Sequence, residues 1–270
     1  MCGRFTLTSP TDELAGYFDV LMTSGMSARY NIAPTQPVAC VRRAATAPGE
    51  ATGTAAAPTR ELVDMRWGLI PHWAKDPAIG SRMINARSES VAEKPAYKDA
   101  FRRRRCLVIA DGFYEWKRLE GGKQPYFIHL EDRQPFAFAG LWARWKPRGD
   151  QLDKIAAPDK PAVPLSEDGR VESCTFLTTT PNALMEEIHD RMPVILPAQH
   201  WEAWLDPDLQ DPNELSSLLL PYPADEMRAH PVSTHVNKPA NDDPTCIAPL
   251  KRLKIVRPEP PETPDQTKLF

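Results

Sequence analysis

Little in this chain offers a metal site, a disulfide framework or a membrane anchor. Its 270 residues include five cysteines, Cys2, Cys40, Cys106, Cys174 and Cys246. They stand singly, with no CxxC or HxxxH spacing that would build a tetrahedral metal site. No metal and no other cofactor is therefore expected, and scattered thiols predict a reduced, cytoplasmic protein. No apolar run approaches the roughly 20 residues of a membrane helix, and no basic-plus-apolar leader opens the chain. Positive charge is not in excess either. A formal net charge of -3 excludes a protein coated in cations, so nucleic-acid binding would have to come from a local patch. RRRR at Arg102–Arg105 is the densest basic run, and it reads equally as a solvated helix end or as phosphate contacts. No internal repeat is apparent. A chain of this length buries a core without covalent staples.

What is present organises as alternating strand and helix signals. CGRFTLT reads as a strand and SPTDELAGYF as a short helix, with Ser9 as N-cap, Pro10 in the first turn and Asp12 completing a capping box. Strands are predicted at VACVRR, ELVDMRW, RCLVIA, PYFIHL, FAFAGLWARW and SCTFLTTT, and helices at NALMEEI, PAQHWEAWL and PNELSSLLL. Two long loops, near 44–59 and 146–170, carry small residues and prolines. The fold class is α+β, with mainly antiparallel sheets forming a barrel-like core and flanking helices in one domain. That domain is expected over residues 1–255, followed by a disordered proline-rich tail over 256–270.

The chemistry begins at the opening MCGRF. A buried strand cysteine is the ordinary reading of Cys2 taken alone. Removing Met1, however, gives residue 2 an α-amine of pKa about 7.7–8.0, against about 10.4 for lysine, so much more of it is a neutral nucleophile. An amine and a thiol on one residue trap an aldehyde twice: the amine forms an imine, and the sulfur closes it to a five-membered thiazolidine. MCG also opens glutamine amidotransferases, whose N-terminal cysteine hydrolyses an amide. No counterpart of their downstream segments is evident in this chain.

Six segments in order, MCGRF, RYNIAPT, RWGLIPHW, INARSES, ADGFYEW and IHDRMP, resemble the SOS-response-associated peptidase family of abasic-site processing proteins, from Cys2 to about Pro249. The resemblance implies that Cys2 forms a thiazolidine with the ring-opened aldehyde of an abasic site in single-stranded DNA, and that the crosslink reverses. It implies further that Met1 is removed by a peptidase activity of the protein itself or by an aminopeptidase. Carried over motif by motif, Glu115 shuttles protons, His189 opens the sugar ring and serves reversal, and Asn85 orients the sugar or the cysteine. Arg4, Arg87 and Arg191 match positions that grip phosphates. Arg29 and Asn31 either join them or anchor their own loop. Pro34 and Trp73 fall where the family places an apolar wedge against bases. Trp116 reads equally as part of that wedge or as core, and Trp67 and Trp142 read as core. The alternatives are an N-terminal-nucleophile amidohydrolase and a non-covalent single-strand binder. A monomer is expected, and no membrane partner. At the far end, Gln266, Leu269 and Phe270 match the short peptides by which bacterial repair proteins hook onto the sliding clamp, although Thr267 replaces the usual leucine.

Overall fold

The computed structural model describes residues 2–20, 27–44, 60–156 and 162–250. The loop expected near 44–59 falls almost entirely outside these residues, as do the tail and its Gln266, Leu269 and Phe270. The strands are β1 (Arg4–Leu7), β2 (Arg29–Ile32), β3 (Pro37–Arg43), β4 (Arg60–Trp67), β5 (Asn85–Arg87), β6 (Arg105–Ala110), β7 (Gly112–Leu119), β8 (Gly122–Leu130), β9 (Phe136–Trp145), β10 (Val171–Thr179), β11 (Met192–Pro193), β12 (Ile195–Leu196) and β13 (Met227–Pro231). Short helices α1 (Thr11–Phe18), α2 (Lys98–Arg103), α3 (Ala183–Glu186), α4 (Trp201–Leu205) and α5 (Pro212–Ser217) flank them.

The strands form two sheets. One runs β10-β4-β3-β6-β9, and a β9–β10 pairing closes it into a five-stranded barrel. The other runs β13-β8-β7-β1-β2. Most pairings are antiparallel, as the strand runs predict, but β10 pairs in parallel with β4 and β5. Every residue of β6 and β10 is buried, because both strands are walled by side chains on their two faces. The sheets meet through Phe5 of β1, whose ring packs edge-on against Trp67 at 5.1 Å, Phe138 at 5.9 Å and Phe176 at 6.2 Å. That aromatic cluster fixes β1, and with it the start of the chain, against the barrel wall.

A second device holds β1 from the side. The buried Asp111 carboxylate, at the corner between β6 and β7, accepts hydrogen bonds from the Thr6 hydroxyl (2.5 Å), the Thr8 amide (2.5 Å) and hydroxyl (2.8 Å), and the Ser9 amide (2.9 Å) and hydroxyl (3.1 Å). This corrects the expected helix start. Ser9 is spent on Asp111, Pro10 occupies the N-cap position, and neither Ser9 nor Asp12 caps α1.

The basic run divides: Arg102 and Arg103 are exposed in the last turn of α2, the solvated helix end that is one of its two readings. Arg104 pairs with Asp99 at 2.5 Å. Arg105 is buried, with its guanidinium spent on the carbonyls of Trp204, Phe101, Arg102, Asp206 and Leu209. It ties α2 to the segment after α4 rather than facing a phosphate. Trp67 is core, as expected. Trp142 is half-buried, with Arg42 stacked 4.6 Å above its ring.

Candidate active site

Four segments deliver the candidate catalytic residues to the seam between sheet and barrel. Antiparallel pairing of Arg4 with Tyr114 runs the chain start alongside the Glu115 end of β7. Asn85 opens β5, which lies on β10 opposite Phe176. His189 follows α3, whose Asn182 cap accepts from the Met185 amide at 2.9 Å, and its own amide donates to Met185 at 2.7 Å.

Cys2 is 1 % exposed. Its carbonyl accepts a 2.7 Å hydrogen bond from the Asn85 side-chain amide, and its thiol donates to the Arg4 carbonyl at 3.4 Å. The Asn85 side-chain oxygen is buried without a hydrogen-bond partner among the described residues, which is an acceptor available to a ligand. Glu115 is buried on β7, where Phe113 packs into the main core and Tyr114 and Trp116 pack in a separate cluster. Burial pushes its carboxyl above the ordinary range, opposed in part by His189. The two face each other at 4.0 Å, from His189 Nε2 to Glu115 Oε2. On the other side of the imidazole, Nδ1 accepts the Arg191 amide at 3.0 Å and lies 2.8 Å from Asp190 Oδ1. Burial first, and then the charge of Glu115, push the Cys2 thiol well above its usual value.

A cleft of about 560 Å³ opens beside this cluster, lined by Trp116, Lys117, Arg118, Pro181, His189 and Asp190 among others. Trp116 sits at its wall because its indole N–H donates to Asn237 at 2.8 Å. Lys117 and Arg118 escaped sequence reasoning, although they follow Trp116 directly in the FYEW segment. They share the cleft with the carboxylates of Glu186, Glu187 and Asp190, and Lys117 lies 3.8 Å from Glu187.

The candidate DNA-binding residues divide. Arg87 is exposed, and Trp73 is 51 % exposed while Pro34 is half-buried. Arg4 donates to Asn31 (2.8 Å) and to the carbonyls of Val236 (2.9 Å) and Asn237 (3.2 Å). Asn31 is fully buried, and its amide donates to the carbonyls of Val236, Lys238 and Asn241. Arg29 pairs with Asp242 at 2.6 Å. Arg4, Arg29 and Asn31 thus frame the loop that presents Asn237 to Trp116. Arg191 is bound to Glu89 through both terminal guanidinium nitrogens, at 2.6 and 2.9 Å.

Among the described residues one trio, His235, Asp243 and Cys246, brings metal-ligand atoms within 4.8 Å of one another. Hydrogen bonds account for each member. His235 Nε2 meets Asp243 at 2.9 Å, Asn241 Nδ2 meets His235 Nδ1 at 3.1 Å, and the Cys246 thiol donates to the Asn241 carbonyl at 3.3 Å. They are part of the same loop frame.

Comparison with known proteins follows this geometry. The model of the family described as SOS response associated peptidase (SRAP) matches residues 1–239. The chain is 41 % identical over 252 residues to the abasic site processing protein YoqW of Bacillus subtilis (strain 168), covering 92 % of this chain and 99 % of that one. It is 34 % identical over 215 residues to the abasic site processing protein HMCES of Gallus gallus, covering 71 % of this chain and 58 % of the relative. Among solved structures, a Bacteroides thetaiotaomicron protein superposes with a TM-score of 0.72 at 24 % identity, over 92 % of this chain and 99 % of that one. A Bordetella bronchiseptica protein superposes with a TM-score of 0.65 at 26 % identity, over 86 % and 100 %. The chain that places Cys2, Asn85, Glu115 and His189 at one seam belongs to the SOS response associated peptidase (SRAP) family.

Proposed function

We propose that this protein captures abasic sites in single-stranded DNA by forming a reversible thiazolidine between Cys2, freed of Met1, and the ring-opened deoxyribose aldehyde. One observation carries the reading: the buried Cys2, a carboxyl with a raised pKa and an imidazole converge beside an open cleft. Relatives named abasic site processing proteins support the choice of aldehyde.

Burial opposes ionisation of the thiol, so the α-amine is the group that attacks first. It adds to the aldehyde carbon, and the carbinolamine loses its hydroxyl as water to leave an imine. The sulfur then adds to the imine carbon while the thiol proton passes to the imine nitrogen, and Glu115 is the group placed to carry it. One water is released overall, and the ring closes. His189, 4.0 Å from Glu115, gives a proton to the sugar-ring oxygen on opening, while the C1 hydroxyl loses its proton to become the aldehyde, and serves the reverse path. The Asn85 hydrogen bond to the Cys2 carbonyl fixes the nucleophile's backbone, and its unspent side-chain oxygen lies ready for an amine or a sugar hydroxyl.

Glu115 and His189 should separate kinetically. Glu115→Gln is expected to slow crosslinking by on the order of 100-fold, the usual worth of one positioned proton-transfer group. His189→Ala should lengthen the lifetime of a preformed crosslink. Single-turnover capture and chase experiments on an abasic oligonucleotide read both, and equal release rates for wild type and His189→Ala would remove His189 from reversal.

For the far end of the sequence we propose attachment to the replication sliding clamp through Gln266, Leu269 and Phe270. Tethering would raise the local concentration of the protein at the fork. A peptide of residues 258–270 should bind the clamp with micromolar affinity in a titration, and deleting Leu269 and Phe270 should abolish that binding while leaving crosslinking intact. No binding at high micromolar clamp would end the idea.

A further inference from the structure

One of the three arginines matched to phosphate contact does not present a free charge. Arg191 is only 15 % exposed at its side chain, and Glu89 closes on it with both carboxylate oxygens. Glu89 stands two residues after Arg87, in a single turn of 3-10 helix over Ser88–Ser90. The Arg191 hydrogen bond, with a smaller contribution from the charge of Arg87, holds the Glu89 carboxyl below its ordinary value. Glu89 therefore holds Arg191 in the fork geometry that arginine offers equally to carboxylate and phosphate.

We propose that Glu89 is a built-in anion that occupies the phosphate site of Arg191 and is displaced by a phosphodiester of the bound strand. The inference rests on the single-stranded DNA reading above and names a residue that sets its affinity. Three features make Glu89 displaceable rather than a fixed strut. Its side chain is half exposed, so water receives it when it leaves. Arg191 keeps its place without it, since the guanidinium also donates to the Thr178 carbonyl at 2.5 Å and hydroxyl at 3.3 Å. The Arg191 Nε–H is buried with no hydrogen-bond partner among the described residues, a donor that the two carboxylate oxygens leave unspent and that the additional oxygens of a phosphate could take.

Undamaged oligonucleotide isolates this binding from the covalent step. Glu89→Gln and Glu89→Ala should both bind it about fivefold tighter than wild type, the upper reach of a half-exposed ion pair. Their salt dependence should be no shallower than that of wild type, since the same phosphate is engaged in all three proteins. Equal or weaker binding by both variants would overturn the proposal and make Glu89 a strut for Arg191. Inorganic pyrophosphate, followed by the NMR signal of the Arg191 Nε–H, reads the site without DNA. A saturable response in the variants at concentrations that leave wild type unmoved is expected, and the same response in all three proteins would also overturn it. Failure of every protein to bind the strand would sink the single-strand reading instead, with the pyrophosphate arm still deciding Glu89.

Discussion

Cys2→Ala protein should form no heat-stable adduct with abasic single-stranded DNA, the yield falling by on the order of 100-fold or more, because the sulfur that closes the ring is gone. The matching Cys2→Ser protein tells amine from thiol. It keeps the α-amine, so it should still reach the imine, and borohydride should trap that imine as a permanent secondary amine. Without borohydride the imine hydrolyses on heating. Gel analysis of both variants with and without reductant separates the two roles. Full yield of stable adduct from Cys2→Ala would place the nucleophile elsewhere.

The second large effect lies outside the site. Asp111→Ala should lower stability by about 3 kcal/mol or more, since it leaves the amides of Thr8 and Ser9 and three hydroxyls without the carboxylate that satisfies them. For a domain of this size each kcal/mol moves the melting temperature by roughly 2–4 °C, so a fall on the order of 10 °C is expected in thermal unfolding. Asp111→Asn should recover part of it, because the amide oxygen still accepts from one side. Crosslinking by Asp111→Ala should weaken too, because Asp111 fixes the strand that carries Cys2. An Asp111→Ala protein that melts with wild type would mean that β1 is held by its aromatic packing alone.

How much of this was legible depended on whether the cause was local. β9 is visible as FAFAGLWARW because a long apolar run needs only its own side chains to declare itself, and it forms over Phe136–Trp145. β5, β11 and β12 are two or three residues long and exist because β10 and β9 supply their partners, so no periodicity could announce them. Likewise Ser9 carries a sound N-cap signal, which a carboxylate about a hundred residues away overrides. The site shows the same division. Cys2, Asn85, Glu115 and His189 stood out through their motifs, and the fold brings them to one seam. The role of Arg4 and Asn31 as a frame for the 236–242 loop could not be read locally, because their partners are carbonyls more than 200 residues along the chain. Glu89 lay in plain view in INARSES. Nothing in that segment said that its carboxylate would close on Arg191, 102 residues later.

The central claim concerns which atoms join protein to DNA, and the mass of the crosslinked peptide tests it most directly. After nuclease and protease digestion, the account predicts an N-terminal peptide that begins at Cys2, lacks Met1 and carries the deoxyribose remnant at the summed mass less one water. Its sulfur should resist alkylation and its linkage should take up no hydrogen from borohydride, since a thiazolidine leaves neither a free thiol nor a C=N bond. A remnant attached to a lysine, a peptide that retains Met1, or a Cys2 sulfur that alkylates freely would contradict it.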